Sequence, residues 1–373
     1  MIVGIADNIF SPLGHSSQEN FEAVRQGKSR LCEYTQGHRL PEPFVASLFE
    51  GDDRKTMPGL TLFETIVVKS VERALAQTNV DTSSPRTLFV ISSTKGNIDL
   101  LDAVPEGISR DRVLLGKAAD VIARHFHNPN RPVVVSNACI SGLSAQIAAL
   151  RMLRSGFYDT AIVVGAEVQT RFIVSGFQSF KALSPMACKP FDAERLGLNL
   201  GEAAATVIYQ TVDEAGPDAW VPLAGSVRND AFHISGPSRT AEGSYRALHD
   251  VVQGQDIGQI AFINAHGTST LYNDEMEAYA IDRASLAQIP VNSFKGYYGH
   301  TMGAAGILET IISMKSVDNG LILATKGFES PGITHSLDVV AANRTTRKRG
   351  FVKLLSGFGG CNAAMMFMKG GDQ

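Results

Sequence analysis

The chain has 373 residues, of which 44% are hydrophobic and 19% charged, so it can bury a sizeable core and has the make-up of an ordinary globular protein. With 34 basic against 37 acidic residues the net charge is −3, which leaves no electrostatic footprint for nucleic acid. No window approaches the ~18 consecutive apolar residues of a membrane span, and the N-terminal MIVGIADNIFSPLG lacks a basic segment followed by a long apolar run, so the expectation is a cytoplasmic protein.

In chain order, residues 41–59 are the least periodic part and read as loop or short helix. LFETIVVKSVERALAQT then has helical periodicity, and the β-branched segments TLFVISS and VVVS follow as short buried strands. Beyond VVVS, the run from Gly142 onward reads as an apolar helix. TAIVVGAEV (160–168), AAATVIYQ (203–210) and IAFINAHG (260–267) read as strands, GILETIISMKSV as a helix, and ILATKGF (322–328) as a further strand. Strands alternating with helices predict an α/β architecture with covered sheets.

An internal echo points to two similar halves. Setting Cys139 against His300 aligns CISGLSAQIAALRMLRS with HTMGAAGILETIISMKS, matching Gly142 to Gly303, and an earlier pair matches Gly96 to Gly267. Each half would then bring the start of a central helix towards one site.

Four cysteines, Cys32, Cys139, Cys188 and Cys361, lie far apart with no CxxC pair, which argues against structural zinc and a disulfide framework. Cys139 stands where a strand gives way to a helix. Unpaired N–H groups and the positive end of the helix dipole favour a thiolate there. Taken alone, a small core residue is the commoner role for such a cysteine. Three other segments carry chemistry among small residues. NAHGTST places His266 at a strand end, KGYYGHTMGAAG places Lys295 five residues before His300, and SGFGGCN is a glycine loop around Phe358.

Together NACISG, PFDAERLGLNLGEAAATVIYQ, HGTSTLYNDEMEA, KGYYGHTMGAAG and GFGGCNAAMMF, in this order over roughly residues 85–370, resemble the β-ketoacyl-acyl carrier protein synthases, the elongating Cys-His-His condensing enzymes of the thiolase-like superfamily. The resemblance implies a thiolase-like fold, a layered α-β-α-β-α sandwich of two similar halves: 1–212 with the nucleophilic cysteine and 213–373 with the two histidines. It makes Cys139 the acyl acceptor, His266 and His300 the pair facing the second substrate, and Lys295 the cation that orders them. Glu277 would be the partner of Lys295, and Thr268 and Thr270 would bind pantetheine. Phe358 would be a gate whose N–H forms the oxyanion hole with that of Cys139.

The implied reaction is decarboxylative condensation of an acyl-enzyme thioester with malonyl-acyl carrier protein, in fatty acid or polyketide and polyene synthesis. It needs no metal and no cofactor, because the substrates ride on the phosphopantetheine of acyl carrier protein. A homodimer is implied, or a heterodimer with another ketosynthase-like subunit. Alternatives are a non-catalytic, chain-length-type partner subunit, which the intact cysteine opposes, and a thiolase-like enzyme acting on CoA esters, which His300 opposes. Family members are usually longer, with the deficit here between residues 30 and 85, and Cys361 stands where Thr is common.

Overall fold

The computed structural model describes residues 1–35 and 42–370. Its main sheet has ten strands. From one edge to the other they are Val291–Asn292, Ile260–Asn264, Gly350–Gly357, Cys361–Lys369, Trp220–Asn229, Ile2–Phe10, Ala203–Thr211, Thr160–Glu167, Thr87–Ser92 and Val133–Val135.

Numbering each half's strands in chain order shows a duplication. From either outer edge inward the order is third, second, fourth, fifth, first, and the two first strands meet in the middle through the single pair Gly4 and Trp220. In both halves the second strand runs parallel to the third and fourth, while the fifth is antiparallel to its neighbours.

Alternation along the strands builds the layers. Leu88 and Val90 face inward to the central core, whereas Phe89 and Ile91 face outward to the helices Leu62–Leu75 and Leu115–His125. In the second half Phe351 and Leu355 face inward, and Val352 and Leu354 face outward to the helices Glu242–Val252 and Leu271–Arg283. Between the sheet halves lie the helices Ser141–Arg154 and Ala305–Asp318, whose Leu143, Ile147, Ile307 and Ile311 share one core. The result is the expected thiolase-like layering of helices, sheet, central helices, sheet and helices.

The two central helices touch backbone to backbone. A Cβ at Gly306 would lie 2.3 Å from the Leu143 nitrogen, and one at Gly142 would lie 2.9 Å from the Gly303 oxygen. Buried Glu167 reinforces the contact, accepting hydrogen bonds from the N–H groups of Gly303 and Thr94, each at 2.9 Å.

Two expectations are corrected. ILATKGF is not a core strand: Leu321–Ile322 pairs with Arg344–Thr345 in a separate ribbon, and the buried strand is GFVKLLSG at Gly350–Gly357, whose lysine interrupts its apolar run. Residues 41–59 hold a strand besides the expected loop and short helix. Phe44–Ser47 forms a strand between Cys32–Tyr34 and Leu200–Gly201 because Phe44 and Ala46 bury in a local core, and Gly51–Arg54 is a helical turn; Pro41 lies outside the described residues. Among the described residues no helix is long and apolar enough to cross a membrane.

Gly306→Ala must push the central helices apart. The expected cost is ~1–3 kcal/mol of stability from overpacking, read as a lower midpoint in urea unfolding with an unchanged slope.

Candidate active site

Cys139 and His300 are presented in the same way by the two halves. Each follows a residue in left-handed backbone: Ala138 at φ 45° precedes Cys139, and Gly299 at φ 68° precedes His300. The Gly299 position admits only glycine, because its ψ is −173° and a Cβ would meet the Leu200 oxygen at 2.3 Å. Ala138 holds its position with a side chain, a local strain of the kind concentrated at functional sites. The halves differ in one respect. The first passes directly from Val135 to the Cys139 turn, while the second inserts the short helix Lys295–Tyr298.

His266 follows the strand Ile260–Asn264, and the chain turns sharply at Gly267, where φ is 46° and a Cβ would lie 2.5 Å from Ser293 Cβ. These three junctions converge. A sulfur of Cys139 and one ring nitrogen each of His266 and His300 all lie within 4.8 Å of one another, and the imidazole centroids are 4.9 Å apart at 80°.

Burial sets the protonation states. Desolvation holds both imidazoles well below the usual histidine value, reinforced by the charges of Lys295 and Lys353, so both rings are neutral. His300 Nδ1 accepts the Met302 N–H at 3.3 Å, which puts the ring proton on Nε2. Among the described residues that Nε2 and the Nδ1 of His266 are buried with no hydrogen-bond partner, free to meet a ligand. The thiolate expected from the helix dipole is not the resting form of Cys139. Burial pushes its thiol up to about 11, against the lowering effects of a hydrogen bond from the Phe358 N–H and of Lys295.

The lysine pairing differs from the expectation. Lys295 Nζ pairs with Glu309 on the central helix, not with Glu277. Glu277 sits on the helix Leu271–Arg283 and accepts the backbone N–H groups of His266 at 2.6 Å and Gly267 at 2.7 Å, so it fixes the histidine turn. Glu309 is shared with a second lysine, Lys353, at 2.6 Å. Sequence reasoning missed both Glu309 and Lys353. The available signal was an acid, Glu309, inside the otherwise apolar stretch GILETII of the central helix and a lone base in the apolar strand GFVKLLSG.

Phe358 lies between two cavities. One, of about 390 Å³, is lined by Cys139, His266, His300, Thr268 and Thr270. The other, of about 640 Å³, is lined by Thr94, Ile173, Met302 and again Cys139. The residues common to both are Cys139, Phe177, Phe180 and Phe358. Phe358 stacks on Phe177 at 5.7 Å and meets Phe180 edge-on at 5.4 Å. Its loop presses on the cysteine: a Cβ at Gly357 would lie 3.1 Å from the Cys139 nitrogen, and the Cys361 thiol donates to the Phe358 carbonyl at 3.3 Å. Thr268 and Thr270 join their hydroxyls at 3.0 Å on the wall of the first cavity.

Two family profiles match this chain: "Beta-ketoacyl synthase, N-terminal domain" over residues 49–215 and "Beta-ketoacyl synthase, C-terminal domain" over residues 221–329. The chain belongs to the β-ketoacyl synthase family. It is a condensing enzyme. A 3-oxoacyl-[acyl-carrier-protein] synthase 2 of Rhizobium meliloti is 33% identical over 273 residues, spanning 68% of this chain and 64% of that relative. Its namesake in Coxiella burnetii is 28% identical over 399 residues, spanning 97% and 96%. In fold the chain is similar to a β-ketoacyl synthase from Burkholderia phymatum, with TM-score 0.88, 24% identity and 99% of each chain covered. It is also similar to the ketosynthase ApeO in complex with its chain length factor ApeC from Xenorhabdus doucetiae, with TM-score 0.86, 22% identity and coverage of 99% and 98%.

Histidine NMR provides a check on this site. The His266 and His300 rings are expected to stay neutral as pH falls through 6.5, because a depressed value moves protonation to lower pH; titration of either near 6.5 would mean that the pair is solvated.

Proposed function

We propose that this β-ketoacyl synthase condenses a Cys139-bound acyl thioester with malonyl-acyl carrier protein, giving a 3-oxoacyl-acyl carrier protein extended by two carbons. The observation that carries the reading is the convergence of one thiol and two neutral imidazoles in a buried pocket, with the Phe358 N–H directed at the sulfur. The two halves divide between residues 212 and 213, the first bringing Cys139 and the second both histidines.

In the first step the Cys139 sulfur attacks the carrier thioester. Its proton passes to the departing pantetheine sulfur, with a neutral imidazole beside it as the available relay. The tetrahedral oxyanion accepts the N–H groups of Cys139 and Phe358; loss of one such donor typically costs ~10²–10³ in rate. In the second step the malonyl thioester enters the histidine cavity and its carboxylate leaves as CO₂. The electron pair moves onto the thioester, and the enolate oxygen accepts N–H bonds from the two imidazoles. Neutral donors stabilise that charge in the transition state without holding the product as a fixed cation would. The enolate carbon then attacks the Cys139 thioester, forming the carbon–carbon bond and releasing the sulfur, which regains a proton. Lys295, paired with Glu309, orders the histidine turns, and Thr268 and Thr270 face the pantetheine amides. No bound cofactor takes part, since the substrates arrive on phosphopantetheine.

The partners in this reading are acyl carrier protein and a second ketosynthase-type subunit, identical or related. The outer edge strand Val133–Val135 supports such pairing. It has three half-buried valines and a free edge among the described residues, and an edge of that kind is a template for another strand. The compartment is the cytoplasm, where a catalytic thiol stays reduced.

The deciding experiment is intact-protein mass spectrometry with acyl-carrier thioesters. Wild type is expected to gain one acyl group, and Cys139→Ala to gain none while still releasing CO₂ from malonyl carrier. Normal chain extension by Cys139→Ala would refute the assignment; absence of loading with every primer would favour the partner-subunit reading. For the assembly, light scattering of Val134→Lys is expected to show mass falling from a multiple of 40.0 kDa towards the single chain.

A further inference from the structure

The reaction as derived leaves the buried lysine Lys353 without a role. Lys353 stands on the inward face of the strand Gly350–Gly357, between Phe351 and Leu355, where every neighbour in the pattern is apolar. Its side chain is 0% exposed. An unpaired ammonium there would cost several kcal/mol, so the site must be built to hold it.

Its contacts are specific. Nζ donates to the carbonyls of Asn264 and Ala265, both at 3.1 Å, and to that of Leu354 at 3.0 Å, and it pairs with Glu309 at 2.6 Å. Asn264 and Ala265 are the two residues before His266. Glu309 lies on the helix that begins just after His300, and it also holds Lys295. Leu354 belongs to the strand that leads into Phe358. One ammonium therefore joins the strand ends carrying His266 and Phe358 to the helix that follows His300.

We propose that Lys353 is a positioning residue for decarboxylation: it clamps the His266 turn to Glu309 and so fixes the spacing of the two imidazoles while keeping a second cation beside the enolate site. This rests on the condensing reading above. Two ammonium groups share the one Glu309 carboxylate in the dry centre of the molecule, and their positive charge reaches both imidazoles. That charge disfavours imidazolium on either ring and favours an anion between them.

The arrangement gives a pH signature. The groups facing Lys353 are Glu309 on the central helix, Lys295 on the short helix, and Glu277 on the outer helix. Burial pulls Lys353 down to about 8, and the attraction of Glu309 only partly offsets this. Burial and the charge of Asp274 bring Glu277 up to about 7, so its titration precedes that of Lys353. The clamp is therefore present below about pH 8 and is lost as pH rises through it.

The test compares wild type with Lys353→Met in two assays: acyl loading of Cys139 by mass spectrometry, and CO₂ release from malonyl carrier protein across pH. The variant is expected to load at close to the wild-type rate but to release CO₂ ~10²-fold more slowly in kcat, with KM within about twofold. Wild-type CO₂ release should decline through about pH 8, and the variant should lack this decline. Equal loss of loading and decarboxylation, or the same high-pH limb in both proteins, overturns the proposal. If Lys353→Met does not fold, the wild-type profile decides alone, and a flat rate through pH 8 overturns it. Wild type that releases no CO₂ at all refutes the condensing reading itself, which separates that failure from a failure of Lys353.

Discussion

The site depends on two helices meeting without side chains between them. Gly142 and Gly306 let the starts of the central helices approach to backbone contact, and the catalytic turns just ahead of them are brought together as a result. The sheet duplication supplies the symmetry for this meeting, since each half delivers its central helix after its third strand. A side chain larger than hydrogen at that crossing would separate Cys139 from His300 before it altered any group in the pocket. Glu167, bound to the N–H groups of both Gly303 and Thr94, fixes the crossing from the side of the first sheet half.

Bringing helix starts into the middle of a large core has an electrostatic price. Helix dipoles stabilise anions over about one turn, while desolvation acts on every ionisable group enclosed. At Cys139 desolvation is the larger influence and the thiol is retained. At the two histidines it works in the same direction as the neighbouring lysines, and both rings are neutral. The thiol and the two imidazoles that the proposed reaction uses are thus uncharged in the resting site. The buried Lys295–Glu309–Lys353 cluster is the exception, and it is satisfied by its own carboxylate and by backbone carbonyls.

Much of this was legible in the sequence because local rules fix it. The strand-to-helix address of Cys139, the match of Gly142 to Gly303 and the glycines around His266 and Phe358 all follow from chain geometry, which short-range sequence encodes. Pairings across elements were not legible. Glu277 is near Lys295 in the sequence pattern of the second half, yet its carboxylate is spent on two backbone N–H groups, and Glu309 faces the lysine through the turn of a helix. Lys353 was passed over because alternation predicts its face only when the strand is recognised, and the lysine itself disguised the strand. The segment Phe44–Ser47 was likewise unreadable, since its partners Cys32–Tyr34 and Leu200–Gly201 include one that lies far along the chain.

The division of space around Cys139 completes the physical picture. Two cavities meet at the sulfur, and the aromatic set Phe177, Phe180 and Phe358 stands where they join. In the proposed reaction the acyl chain must lie in one cavity while malonyl carrier occupies the other, so a single sulfur has to be reachable from both sides in turn. Phe358 serves both requirements at once: its ring partitions the space and its N–H points at the sulfur. The glycines that follow it, Gly359 at φ 84° and Gly360 at φ 75°, allow a loop that presses against the cysteine backbone and still turns back into the strand Cys361–Lys369. The Cys361 thiol, bound to the Phe358 carbonyl, tethers that loop at its base. In the proposed reaction, access to each cavity and stabilisation of the oxyanion are therefore linked through one short segment of chain.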